Sequence, residues 1–391
     1  MKSLLPNVLS LPERSPLAPS RWIMPWTLTF LASTATQAQQ SAAIPLGPVD
    51  SFSGTEFTLI TSVRGLSDGR LLAADLKENR LNLIDWARGR VTLLGRSGDG
   101  PGEYEGIGWL HPLADDSTLL TDRITRRWHI VHGQRLVSSS GADRSLNRQL
   151  GPLLSGADTL GHVLGVTGYA PPGSARASRD DAELLNLLLG DRSTERLDTL
   201  ARIGGMGAAG RIVTGGAQRS MISSHPLATE EQALLFPDGW VAVARLDPYR
   251  VDWRTPAGEW VHGDPLPFER IPVDSRERCA ALGQTRDFCN HRAVPDWPDA
   301  LPPFLRPARP SDVAAGTMML QAAPDGRLLI RRTPSVAVQG TRYDAVDRRG
   351  RLTGTITLPA NEAIVGSGAR HLYTVATDEV DLQHLRRYAW H

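Results

Sequence analysis

Residues 66–104 read LSDGRLLAADLKENRLNLIDWARGRVTLLGRSGDGPGEY. A tight turn at Ser67-Asp68-Gly69 feeds a short apolar run, Leu71–Ala74, which reads as a strand. A polar turn over Asp75–Asn79 leads to a second strand, Leu81–Asp85, and Ala87-Arg88-Gly89 turns the chain into a third, Val91–Leu94. The Asp-Gly and Arg-Gly pairs supply the positive φ angles that short hairpin turns need. Leu81 and Leu83 against Asn82, and Val91 and Leu93 against Thr92, alternate with the period of a half-buried strand.

The unit recurs. Tight turns at Asp68-Gly69, Asp115-Asp116, Ala157-Asp158, Asp238-Gly239, Asp325-Gly326 and Ser367-Gly368 each precede a short apolar run. A repeat of about 40–45 residues built from four strands is the signature of a propeller blade. Two gaps between turns are about twice that length and hold one blade plus an insertion each. The expected fold is therefore all-β: a six-bladed β-propeller of four-stranded antiparallel blades. The third blade carries a Pro/Gly/Ala/Ser loop, Gly168–Asp181, with outer strands at Ala182–Leu189 and Leu197–Ile203. The leucine run within Leu184–Leu189 suits a short helix as well, but its flanking turns favour strand. Gly204–Pro226 reads as a Gly-rich connection into the fourth blade. A Pro-rich insertion, Pro267–Thr317, separates blades four and five; its prolines rule out regular sheet, and a partly helical cap over one face is expected. The chain ends in a strand at Leu385–Trp390, and Val49–Phe57 is expected to add a strand to the last blade and close the ring.

With 43 Lys+Arg against 42 Asp+Glu, the net field draws the chain neither to nucleic acid nor to an anionic membrane. Lys2 and Lys77 are its only lysines. Arginine suits carboxylate and phosphate recognition, but an arginine-favouring genome explains the bias more simply. Arg21, the apolar run Trp22–Ala32 and the small residues of Thr36-Gln37-Ala38 read as an export signal over residues 1–38. The run is shorter than the ~20 residues of a membrane span, so the mature chain, 39–391, is expected to be a periplasmic or extracellular monomer. In such a compartment Cys279 and Cys289, the only cysteines, are expected to form a disulfide.

The run Gly95-Arg96-Ser97-Gly98-Asp99-Gly100-Pro101-Gly102-Glu103-Tyr104 resembles the junction between the first two blades of exported bacterial six-bladed propellers of the NHL-repeat and TolB-like kind. Leu301-Pro302-Pro303-Phe304 ahead of the Pro324-Asp325-Gly326-Arg327 turn is similar to the same family, as is Asp238-Gly239 with Tyr249-Arg250-Val251-Asp252. The resemblance implies a fold and, its members being largely uncharacterised, little about activity. The family's tryptophan-bearing strand after Asp325-Gly326-Arg327 is here Leu328-Leu329-Ile330.

Candidate site residues are few. Gly98–Gly102 lacks the Lys-Ser/Thr of a phosphate-binding loop, and Pro101 removes an amide donor; it reads as an inter-blade turn. Asp75 and Asp122 occupy matching places after the second strands of their blades. They are ligand-binding candidates at a channel mouth or, more simply, turn residues that accept their own backbone amides. His225 and Asp247 are further loop candidates for ligand binding. His129 and His132 should face opposite sides of one strand, which argues against a shared metal. No Gly-x-Ser-x-Gly nucleophile turn is present. The expected function is a non-catalytic module of the cell envelope that binds a protein, small-molecule or glycan ligand. The alternative is a divalent-metal hydrolase similar to the propeller lactonases, holding calcium through oxygen ligands such as Glu56, Asp75, Asp122 and Asp247.

Overall fold

Turn chemistry and a period-2 pattern set the architecture. A computed structural model describes residues 42–98, 100, 102–138, 141–150, 154–167, 184–205, 211–216, 219–283, 296–306 and 318–391. Residues 1–38, read above as an export signal, the stretch 168–181 read as a loop, Cys289 and parts of 267–317 lie outside the described residues.

The quoted stretch forms strands Leu71–Asp75, Arg80–Asp85 and Arg90–Leu94, preceded by Ile60–Gly65. Gly69 sits at φ +85°, a conformation open to glycine at no steric cost. Four separate four-stranded antiparallel sheets follow, beginning with Ile107–Pro112, Leu154–Ala157, Gln232–Leu235 and Leu320–Ala322. The quoted unit belongs to an eight-stranded sheet, which also contains Glu362–Ser367, His371–Thr377, Gln383–Ala389 and Val49–Ser51. Its halves meet in a short parallel pairing, Val63 with Gly366 and Arg64 with Ser367. Val49–Ser51 runs antiparallel to Gln383–Ala389. The arrangement is an all-β, propeller-like fold.

Each second strand carries adjacent buried residues in its middle because it is covered on both faces. Leu71 faces a core shared with Val365 and Tyr373, while its neighbour Leu72 faces one shared with Ile107 and Leu120. The split repeats along the chain. Leu119 and Leu120, Val163 and Leu164, Val241 and Ala242, Leu328 and Leu329, and Leu372 and Tyr373 each divide between two cores. Adjacent side chains of a strand point to opposite faces, so each sheet packs against the ones before and after it.

The inter-sheet turn around Gly98–Gly102 is held by Glu103, whose carboxylate accepts the Gly100 amide at 2.8 Å and pairs with Arg96. Asp99 and Pro101 lie outside the described residues. The leucine run is a strand, Leu184–Asp191. Two elements depart from the sequence reading. Gly141–Leu150 is a helix, anchored by Leu146 and Leu150 against Trp128 and Leu188. Within the expected Gly-rich connection, Arg211–Gly216 and Arg219–Ser224 pair as a two-stranded sheet.

The described part of the insertion holds the helix Ser275–Ala281, capped by Asp274, which accepts the Arg276 and Glu277 amides at 2.9 Å each. Buried Glu277 ties this helix to the loop after Leu328–Arg331, accepting the amides of Val336 at 3.1 Å and Ala337 at 3.3 Å. Val273 and Leu301 pack on Leu227, while Phe304 is buried in the core between the fourth and fifth repeats. Among the described residues no helix is long and apolar enough to cross a membrane.

Candidate functional site

The first strand of each repeat has no partner strand on its inner side, except where Ile60–Gly65 and Glu362–Ser367 touch. These strands therefore present backbone N–H and C=O groups to a shared space. There they line a cavity of about 750 Å³, to which Arg64, His111, Gly156, Leu235, Gln321 and Ser367 contribute, one from each first strand. The size falls within the range of small-molecule sites. The cavity lies toward the ends of the first strands that lead into the tight turns, since Gly65, Pro112, Pro237, Pro324 and Gly368 also line it.

The charges in its wall are balanced within the protein. Arg64 donates to the carbonyl of Ser117 and the hydroxyl of Thr118 and lies 3.6 Å from Asp116. Burial lowers its pKa to about 10 against the opposing pull of Asp116. Arg348 lies 2.6 Å from Asp238 and over the Trp240 ring at 4.8 Å. Asp325 pairs with Arg327 at 2.7 Å.

His111 is 5% exposed and its Nε2 has no hydrogen-bond partner. Burial depresses its pKa to about 4, below the ~6.5 of an unfolded histidine. The unfolded chain thus takes up this proton first, and stability should fall as pH drops from about 6.5 toward 4. Urea unfolding across that window should show a steeper acid loss for the wild type than for His111→Gln. The slope difference should approach about 1.4 kcal/mol per pH unit; equal slopes would mean that the imidazole is hydrated in the fold.

None of the four ligand-binding candidates read from sequence lines this cavity. Asp75 accepts the amides of Thr58, Leu59 and Glu78 at 2.9, 3.1 and 3.2 Å. Asp122 accepts those of Glu105, Gly106, Ile124 and Thr125 at 2.8, 3.1, 3.0 and 3.1 Å. Both stand at the opposite end of their first strands from the cavity and tie the incoming chain to the following turn. Burial alone would raise the Asp122 pKa, but His129 and the donated amides win and hold it well below the usual carboxylate range. His129 Nε2 stands 3.7 Å from that carboxylate. His225 is buried edge-on to Trp297 at 4.8 Å, and its Nδ1 accepts the Leu227 amide at 3.0 Å. Burial lowers its pKa, with Asp296 pulling the other way. Asp247 and Glu56 are exposed. Among the described residues no group of three or more His, Cys, Asp or Glu side chains is arranged to hold a metal ion. Cys279 is buried in its helix.

A second pocket, of about 390 Å³, lies at the end where Ile60 and Glu362 begin their strands, and Lys77 stands in its wall. There Glu362, 1% exposed, pairs with Arg386 at 2.9 Å and accepts the Thr374 hydroxyl. Burial and the Glu362 charge push the nearby Tyr388 up to about 12. His111 and Gln321 were not singled out in the sequence, and Ser367 was only as part of a turn; a first-strand register, which the repeat spacing approximates, would have pointed to all three.

No family model matches the chain, and no curated protein matches it either. Among solved structures it is similar to regucalcin, a calcium-binding protein from Agrobacterium tumefaciens, with 12% identity over 90% of this chain and 97% of that one, TM-score 0.42. A gluconolactonase from Xanthomonas campestris is similar with 11% identity over 88% of this chain and 99% of that one, TM-score 0.42. A protein of unknown function from Bacteroides thetaiotaomicron is similar with 12% identity over 90% of this chain and 73% of that one, TM-score 0.40.

Proposed function

We propose that the chain is an exported six-bladed β-propeller that serves as a binding module of the cell envelope and takes a small molecule in the cavity among its first strands. The observation that carries this reading is the cavity of about 750 Å³ to which every first strand contributes. The six-blade reading is supported by the second strands, each of which divides its side chains between two neighbouring cores. In it the eight-stranded sheet counts as the first and last blades, and Val49–Ser51 closes the ring as the outermost strand of the last. Export rests on the leader 1–38, and with it go a monomeric mature chain and a Cys279–Cys289 disulfide.

The test is thermal unfolding of the EDTA-stripped mature chain against a chemically varied panel of small molecules and against Ca²⁺, Mg²⁺ and Zn²⁺. A ligand at 100 times its Kd stabilises by about 2.7 kcal/mol, a readable shift. Compounds that stabilise the wild type should lose their effect on Gln321→Trp, which fills the cavity. Hits that ignore the filling would overturn the cavity as the site. A saturable shift with a divalent ion alone would move the reading to the metal-dependent hydrolase.

A further inference from the structure

The polar side chains of the cavity wall divide into those with partners inside the protein, Thr61, Ser62 and Thr159 among them, and those without. The charged ones, Arg64, Arg348, Asp238 and Asp325, are each engaged inside the protein. A ligand ion would have to displace one of those partners or lie desolvated without one, and both are costly. The second set is His111, Gln321 and Ser367, residues of the cavity lining whose side chains make no hydrogen bond among the described residues. Histidine held neutral offers one donor and one acceptor, and glutamine and serine each offer both. The inner edges of the first strands add backbone donors and acceptors, also uncharged.

We propose that this cavity selects an uncharged, hydroxyl-rich small molecule over ions of either sign, an assignment that rests on the cavity being the binding site. A hydroxyl group donates and accepts at once, which matches a wall whose uncommitted groups do the same. A molecule carrying several hydroxyls can meet His111, Gln321, Ser367 and the strand edges together, whereas a carboxylate finds no uncommitted cation among these side chains.

Calorimetric titration of the full chain with N-acetylglucosamine, glucosamine and glucuronate compares one sugar skeleton without charge, with a positive charge and with a negative one. N-acetylglucosamine should bind saturably and at least tenfold more tightly than either charged sugar. His111→Phe keeps the ring volume, and Gln321→Leu keeps most of the side-chain length. Each should weaken binding about fivefold, the worth of one lost hydrogen bond, with unfolding curves checking that each variant folds. A charged sugar that binds as tightly, or no saturable heat from N-acetylglucosamine, overturns the assignment. The binding module itself stands or falls separately: charged compounds that stabilise the wild type but not Gln321→Trp would keep the cavity as the site and refute only its selectivity.

Discussion

Gly366→Ala should destabilise the protein by about 3 kcal/mol or more, at or beyond the top of the usual range for overpacking. Gly366 pairs with Val63 where the two halves of the eight-stranded sheet meet. A Cβ at this position would lie 1.8 Å from the Val63 carbonyl oxygen, which is backbone and cannot rotate away. The seam is only two residue pairs long, so displacing one carbonyl removes much of it. The informative comparison is Gly69→Ala. That glycine, unlike Gly366, has a positive φ, but a Cβ there meets nothing within 4 Å. Its cost should be the backbone term alone, about 1–2 kcal/mol. Chemical denaturation of both variants separates the effects, and equal losses would mean that the seam is looser than described.

The second large effect is expected at Asp344. Its carboxylate accepts the Tyr249 hydroxyl at 2.8 Å and Arg332 Nη1 at 2.9 Å, with the Arg332 and Asp344 side chains only 9% and 6% exposed. The guanidinium also lies over the rings of Tyr249 and Phe268, at 5.4 and 5.2 Å. Burial, with the Asp344 charge adding to it, raises the Tyr249 pKa well above its ordinary value, so the hydroxyl stays a donor. Asp344→Ala leaves a buried cation without its counter-charge and should cost about 3–5 kcal/mol. Tyr249→Phe removes one neutral donor and should cost only about 1 kcal/mol. The double replacement Arg332→Met, Asp344→Leu removes both charges and should recover most of the loss, because a buried ion pair is worth little more than well-packed apolar groups. Failure of the double variant to recover would show that the pair holds a geometry apolar side chains cannot.

The repeat was legible because its punctuation is local. Gly69, Gly239 and Gly326 have φ values of +85°, +86° and +82°, and each follows an aspartate that the sequence displays openly. The leucine run was settled by its flanking turns rather than by its periodicity. The helix Gly141–Leu150 escaped because Leu146 and Leu150 are its only large apolar residues, too few to stand out as a stripe. Asp75 and Asp122 were visible as matching positions because the repeat copies them; their bonds to the turns that follow are local, whereas those to Thr58 and Glu105 reach 17 residues back. The cavity residues obey no such rule. His111, Gln321 and Ser367 come together from strands more than 40 residues apart; the first two sit between apolar neighbours as any first-strand residue would, and Ser367 lies between glycines and reads as a turn residue. The Tyr249–Asp344 bond likewise spans 95 residues.

Asp50 reaches Arg387 across 337 positions of chain, and that distance has a bearing on how the molecule is made. Val49–Ser51 leaves the ribosome long before the strand it pairs with, Gln383–Ala389. Contacts so remote in sequence slow folding, since the intervening chain must first be ordered. Early repeats can gather as they emerge, but the seam and the outer N-terminal strand have to wait for the final meander. A nascent chain stalled before Gln383 should therefore remain open to proteolysis at its N-terminal segment and become resistant only on release.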